Sequence, residues 1–310
     1  MTLLQGVIPV LMTPFTEREE LNERVLRQYI RRYLSAGVHG LFCLGTNGEF
    51  FSLTEEEKIR IVEIAVEEAK GKVPIYAGTG GISTKEVVRL SEKMEELGAD
   101  ALSVITPYFL PLTQDELLGH YRSVAASVSL PIVLYNFPAR TGLAIESETV
   151  AELAKIPNIV AIKDSSGSFE LIEQYIAAAG PDFAVLAGSD ALLLKTLQAG
   201  GKGGVSGSAN VLPELMVSIY EHWRSGNIEA AGAAQALLQP LSQAYRMSTL
   251  PSVFKEAMNR MGLEAGPCRS PIGPLPAEAS EELDRVLRHY RELGHIHGEP
   301  NDRFAGRRRS

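Results

Sequence analysis

Cysteine is nearly absent: Cys43 and Cys268 are the only two in 310 residues. Two thiols cannot make a disulfide framework or a four-thiolate metal site, and such scarcity points to a cytoplasmic location. Long apolar runs are also missing, none approaching the ~18 residues of a membrane span. The opening MTLLQGVIPV lacks the basic start and cleavage pattern of a secretion signal. Six histidines, at 39, 120, 222, 289, 295 and 297, form no carboxylate–histidine framework, so no metal site is expected. None of them stands at a strand end where it could serve Ser166, Ser206 or Ser208 as a hydrolase base. Positive charge is in deficit, 30 Lys and Arg against 38 Asp and Glu, and a net charge of −8 argues against a nucleic-acid partner. The exception is the tail NDRFAGRRRS, whose arginines at 303 and 307 to 309 read as a frayed terminus.

What the chain does have is a regular alternation. Short apolar runs recur as GVIPVLM (6–12), HGLFCLG (39–45), VPIYAG (73–78), ALSVITP (101–107), PIVLYN (131–136), IVAIKD (159–164), FAVLAG (183–188) and the glycine-rich GGVSGS (203–208). Helical patterns separate them. One starts at Thr54 with Glu57 three residues on, and another at Ser83 with Glu86, each predicting a capping box. Most of the strand runs are continuously apolar, as expected of parallel strands covered on both faces. Eight βα units in about 225 residues predict an α/β fold, a (β/α)₈ TIM barrel, over residues 1–225. Residues 226–295 carry helical stripes without strands and predict a C-terminal helical extension, in three helices, against the barrel flank or another subunit. Residues 296–310 are left as a flexible tail.

A barrel of this kind gathers its chemistry at the C-terminal ends of its strands. Those ends read GTNGEF (45–50), TPYF (106–109), YNFPARTG (135–142), KDSSGS (163–168), GSD (188–190) and SGSAN (206–210). Lys163 stands out because it follows IVAI. Period two puts Ile159, Ala161 and Lys163 on one face and Val160, Ile162 and Asp164 on the other. If Lys163 faces the interior, burial disfavours its charged form and frees an amine able to attack a ketone. The alternative is a strand-end lysine reaching solvent. Tyr135 ends the preceding strand, where a phenol could move protons or simply pack in the core. Thr46, Asn47 and the backbone N–H groups of the GTNG turn could cradle a carboxylate. Asp164 is expected to meet neighbouring backbone or a basic side chain.

In this order and spacing GTNGEF, TPYF, YNFPARTG and IVAIKDSSG resemble the dihydrodipicolinate synthase/N-acetylneuraminate lyase superfamily, the class I pyruvate aldolases, over about residues 4 to 295. The resemblance implies that Lys163 forms an imine with pyruvate, that Tyr135 transfers protons, and that Thr46 and Asn47 hold the pyruvate carboxylate. It adds Gly188, Val205 and Arg140 to the substrate-binding residues, Arg140 for the carboxylate of a second, acidic substrate. It implies a homotetramer and no cofactor beyond the covalent imine. Two departures stand out. Synthases of the family usually read GTTGE where this chain has Asn47, and TPYY where it has Phe109. A phenyl ring cannot pass a proton, and Tyr108 beside it is no substitute; both are possible interface or site-lining residues. The activity expected first is therefore cleavage or formation of a C–C bond in 4-hydroxy-2-oxoglutarate or a 2-keto-3-deoxy sugar acid. The alternatives are 4-hydroxy-tetrahydrodipicolinate synthase and an inactive barrel serving as a scaffold.

Overall fold

The computed structural model describes residues 4–297, so the arginines at 303 and 307 to 309 lie outside the described residues. The strands are β1 (Gly6–Pro9), β2 (Leu41–Cys43), β3 (Ile75–Gly78), β4 (Ala101–Ile105), β5 (Ile132–Asn136), β6 (Ile159–Asp164), β7 (Ala184–Ala187) and β8 (Gly203–Ser206). All pairings between named strands are parallel, and β8 returns to β1 with Gly6 opposite Gly203. The first predicted strand runs short of residue 12. Beyond Pro9 a single parallel bridge, Val10 to Phe42, joins β1 to β2 and closes the barrel.

Between the strands lie α1 (Glu23–Ser35), α2 (Glu55–Ala69), α3 (Thr84–Glu96), α4 (Gln114–Ser127), α5 (Pro138–Thr141), α6 (Ser147–Leu153), α7 (Phe169–Ala179) and α8 (Leu193–Gln198); α9 (Pro213–Arg224) follows β8. Thr54 and Glu57 make the expected reciprocal cap on α2. At Ser83 the expected cap is not formed: the residue precedes α3, but its side chain makes no capping hydrogen bond.

The pleat divides the core in two. Ile8, Val10, Phe42, Tyr76, Ala101, Val133, Ala161, Ala184, Leu186 and Val205 fill the barrel interior, while a larger cluster lies between strands and helices. Ala161 and Ile162 fall on the faces that period two assigns. Ile159 does not: it packs in the outer cluster, and Val160 packs against the inner one. The cause is a register shift, in which Ile132 pairs with Ile159 but Val133 with Ala161, so one extra residue enters β6.

The extension has four helices rather than three: α10 (Ile228–Leu237), α11 (Gln239–Ala244), α12 (Ser252–Arg260) and α13 (Ala277–Glu292). The run 228–247 breaks at Pro240, which lacks the N–H needed to continue the helical ladder and sits in the first turn of α11.

Candidate active site

Lys163 is the fifth residue of β6, in register with Tyr135 on β5 and Leu186 on β7. Only 3% of it is exposed, which excludes the snorkelling alternative. Its Nζ lies 3.8 Å from the centre of the Tyr135 ring and 4.6 Å from that of Phe42. No carboxylate pairs with it among the described residues. Aromatic faces therefore take the place of a counter-ion. Asp164, on the outer face, accepts from Asn136 Nδ2 at 2.7 Å and from Ser166 Oγ at 2.6 Å. It meets neighbouring polar groups and no basic side chain, and burial pushes its carboxyl up.

The GTNG segment folds as a short 3₁₀ turn, Thr46–Gly48, held by Thr13 Oγ1 donating to the Gly48 carbonyl at 2.7 Å. It brings Thr46 Oγ1 to 3.2 Å from the Tyr135 hydroxyl. Asn47 turns toward the end of β8: a Cβ placed on Gly207 would sit 2.9 Å from Asn47 Nδ2 and 2.5 Å from the Phe254 ring. Gly188 is needed for a similar reason, since a Cβ there would lie 2.7 Å from the Asp164 carbonyl oxygen.

Thr46, Asn47, Tyr135, Arg140, Lys163, Gly188 and Val205 all line one cavity of about 490 Å³. The remaining two predicted residues do not reach it. Tyr108 packs edge-on against Phe50 with ring centres 6.4 Å apart. Phe109 is 86% exposed with φ at +82°, a backbone region that a bulky residue rarely occupies.

The cavity also holds residues that the motifs did not single out. Asp190 lines it and accepts from the Ser208 N–H at 2.7 Å. Burial raises its carboxyl above the usual range, opposed by hydrogen bonds from Ser208 and Ser206 and by the charge of Lys163. Ser242, Tyr245, Arg246 and Ser248 come from the extension, which thus covers the ends of the strands as well as the flank. Arg246 could not have been found from spacing, because it sits in a run read only as a helical stripe, with no strand end beside it to point at the cavity. Arg140 and Arg246 are both exposed, and neither has a carboxylate partner among the described residues. Two guanidiniums on the rim of a cavity with a buried amine suit a substrate carrying negative charge away from its reacting carbonyl. Among the described residues no cluster of three or more His, Cys, Asp or Glu could hold a metal ion.

Comparison with known proteins agrees with this geometry. The model of the dihydrodipicolinate synthetase family matches residues 3–290. The 4-hydroxy-tetrahydrodipicolinate synthase of Methanopyrus kandleri is 42% identical over 292 residues, 94% of this chain and 95% of that one. The dihydrodipicolinate synthase of Thermotoga maritima superposes with a TM-score of 0.91 at 33% identity, covering 95% of this chain and 100% of that one. YagE, an Escherichia coli prophage protein of the same family solved in complex with pyruvate, superposes with a TM-score of 0.89 at 34% identity, over 94% and 99% of the two chains. The chain belongs to the dihydrodipicolinate synthetase family, whose members are class I lyases that form a Schiff base with pyruvate.

Proposed function

We propose that the chain condenses pyruvate with an aldehyde that carries a carboxylate, and that it works as a 4-hydroxy-tetrahydrodipicolinate synthase with aspartate semialdehyde as second substrate. One observation carries this: buried Lys163 shares its cavity with the Thr46–Tyr135 hydroxyl pair and with two unpaired guanidiniums, Arg140 and Arg246. The Lys163 amine adds to C2 of pyruvate, and the carbonyl oxygen departs as water to leave the protonated imine. Loss of a C3 proton gives the enamine, whose C3 attacks the aldehyde carbon, and a proton completes the new hydroxyl. The semialdehyde's own amine then displaces Lys163 from C2, closing the ring and freeing the enzyme. Tyr135, relayed by Thr46, carries protons to and from the carbinolamine and the new hydroxyl. The turn at Thr46 and Asn47 holds the pyruvate carboxylate, while Arg140 and Arg246 hold that of the aldehyde.

The names of relatives such as the Methanopyrus enzyme favour this synthase over the sugar-acid and 4-hydroxy-2-oxoglutarate cleavage first expected. A specific observation keeps retro-aldol cleavage of 2-oxo acids as a second reading: Phe109 brings no hydroxyl to the proton relay. Exposed Phe51, Phe109 and Leu110 support a further element of the proposal, a homo-oligomer, expected to be a tetramer, whose size sedimentation would measure.

Borohydride added with pyruvate tests the chemistry. A reduced adduct should map to Lys163 and vanish in Lys163→Ala; no adduct, or one that persists in the variant, sinks it and leaves the scaffold alternative. A substrate panel then separates the enzymes: cyclised product from pyruvate and aspartate semialdehyde supports the synthase, and pyruvate release from hydroxylated 2-oxo acids alone overturns it.

A further inference from the structure

A second buried lysine lies behind the carboxylate turn. Lys255 on α12 is 1% exposed, and its Nζ stands 2.6 Å from Oε1 of Glu49, which is wholly buried. Glu49 directly follows the Thr46–Gly48 turn and holds φ at +57°, in the left-handed region that non-glycine residues seldom occupy. Its N–H donates back to the Thr46 carbonyl at 3.1 Å, and its other carboxylate oxygen accepts from the Arg269 N–H at 2.9 Å. Lys255 donates to the Pro267 carbonyl at 2.8 Å and lies 3.9 Å from the centre of the Phe15 ring. The Cys268 thiol faces the same carboxylate, and burial together with that charge pushes it up to about 12, so it remains a protonated donor. Arg269 then extends the contact to Glu57 at the start of α2 and to the carbonyls of Ser52 and Glu19.

Burying an ion pair brings little net stability, because desolvation of both charges offsets their attraction; its better-attested use is to fix one arrangement among several. This pair sits where such fixing matters. Phe254, the residue before Lys255, lines the cavity and lies under Gly207 beside the Asn47 amide. One turn of α12 therefore touches the floor of the site with one residue and the back of the carboxylate turn with the next.

We infer that Lys255 and Glu49 are positioning residues: their buried pair is a latch by which the extension sets the Thr46–Asn47 turn in the conformation that binds the substrate's 2-oxo carboxylate. The inference rests on the assignment of that turn as the carboxylate cradle. A cradle that grips the carboxylate equally before and during reaction acts on KM and leaves kcat nearly unchanged. A latch that merely kept the chain folded would instead lower the amount of active enzyme, reducing apparent kcat at constant KM.

The test compares Glu49→Gln, the charge-free pair Glu49→Gln/Lys255→Met, and Thr46→Ala in the full-length protein. Pyruvate KM and kcat are measured together with thermal midpoints and amide hydrogen exchange over residues 45–52. Glu49→Gln should raise pyruvate KM roughly tenfold with kcat held within about twofold, and speed exchange in the turn. The double variant, free of an orphaned buried charge, should recover the thermal midpoint yet keep the high KM. If KM returns with the midpoint, or if turn exchange and KM match the parent in both variants, the latch is only structural and the inference fails. Thr46→Ala separates the two levels: a raised KM there with parental KM in the latch variants refutes the latch alone, while an unchanged KM in Thr46→Ala refutes the cradle beneath it.

Discussion

Two lysines are buried among the described residues, and they meet opposite surroundings. Lys255 has a carboxylate at 2.6 Å, whereas Lys163 lies against the faces of Tyr135 and Phe42. The first is held in an ion pair; the second has none among the described residues. That contrast was half legible in the sequence. Lys163 announced itself by following four apolar residues, but Lys255 sits in VFKEAMNR, where a helical stripe gives no hint that its partner is 206 positions earlier at Glu49. Tyr135→Phe should retain the Lys163 adduct while lowering turnover by about 10²–10⁴, the usual worth of a positioned proton donor; single-turnover trapping beside steady-state rates would show this. His120 gives a pH prediction. Burial holds its imidazole down to about 4 from the usual 6.5, with Thr84 Oγ1 on Nδ1 at 2.9 Å. The unfolded chain therefore takes up this proton first as pH falls, so stability is lost between about 6.5 and about 4. Melting curves of His120→Gln should be flatter across that window than those of the parent.

Elements were more legible than their junctions. All eight strands stand where bounded apolar runs predicted them, because both faces of each are covered and the signal needs no partner. The extra residue in β6 was invisible, since it depends on how β5 pairs with it. The extension's place was likewise hidden: Arg246 reaches the same cavity as Arg140 through tertiary packing that no local pattern records. Substitutions at element ends can be ranked accordingly. Thr54→Ala removes the side chain that accepts from Glu57 N–H and should cost about 1 kcal/mol, read from chemical denaturation. Gly207→Ala should be far worse, because its Cβ would enter the Phe254 ring and the Asn47 amide. Its expected signature is loss of pyruvate binding at a given folded fraction, followed by titrating the borohydride-trapped adduct against pyruvate concentration.

The net charge of −8 argued against a nucleic-acid partner, and many of the negative groups are paired with arginines or lysines. Glu68 on α2 accepts from Arg31 and Arg27 on α1, and those guanidiniums hold its carboxyl down to about 2. Its folded value lies below the ordinary 4.5, so its contribution is present above 4.5 and disappears as pH falls toward about 2. Glu68→Gln should therefore lower the thermal midpoint near neutrality and weaken the acid dependence between those limits, an effect that added salt diminishes. The glycine seam where Gly203 meets Gly6 has a consequence in time. Parallel closure pairs the first strand with one emerging almost two hundred residues later, a contact of very high sequence separation. During synthesis β1 must wait with an unpaired edge until β8 leaves the ribosome, and Lys255 and Arg269 follow later still. Translation halted after Arg224 would yield all eight strands and the buried Lys163, but neither half of the extension's grip on Glu49. In such a product the Thr46–Gly48 turn would stand without the contacts that Lys255 and Arg269 make with Glu49.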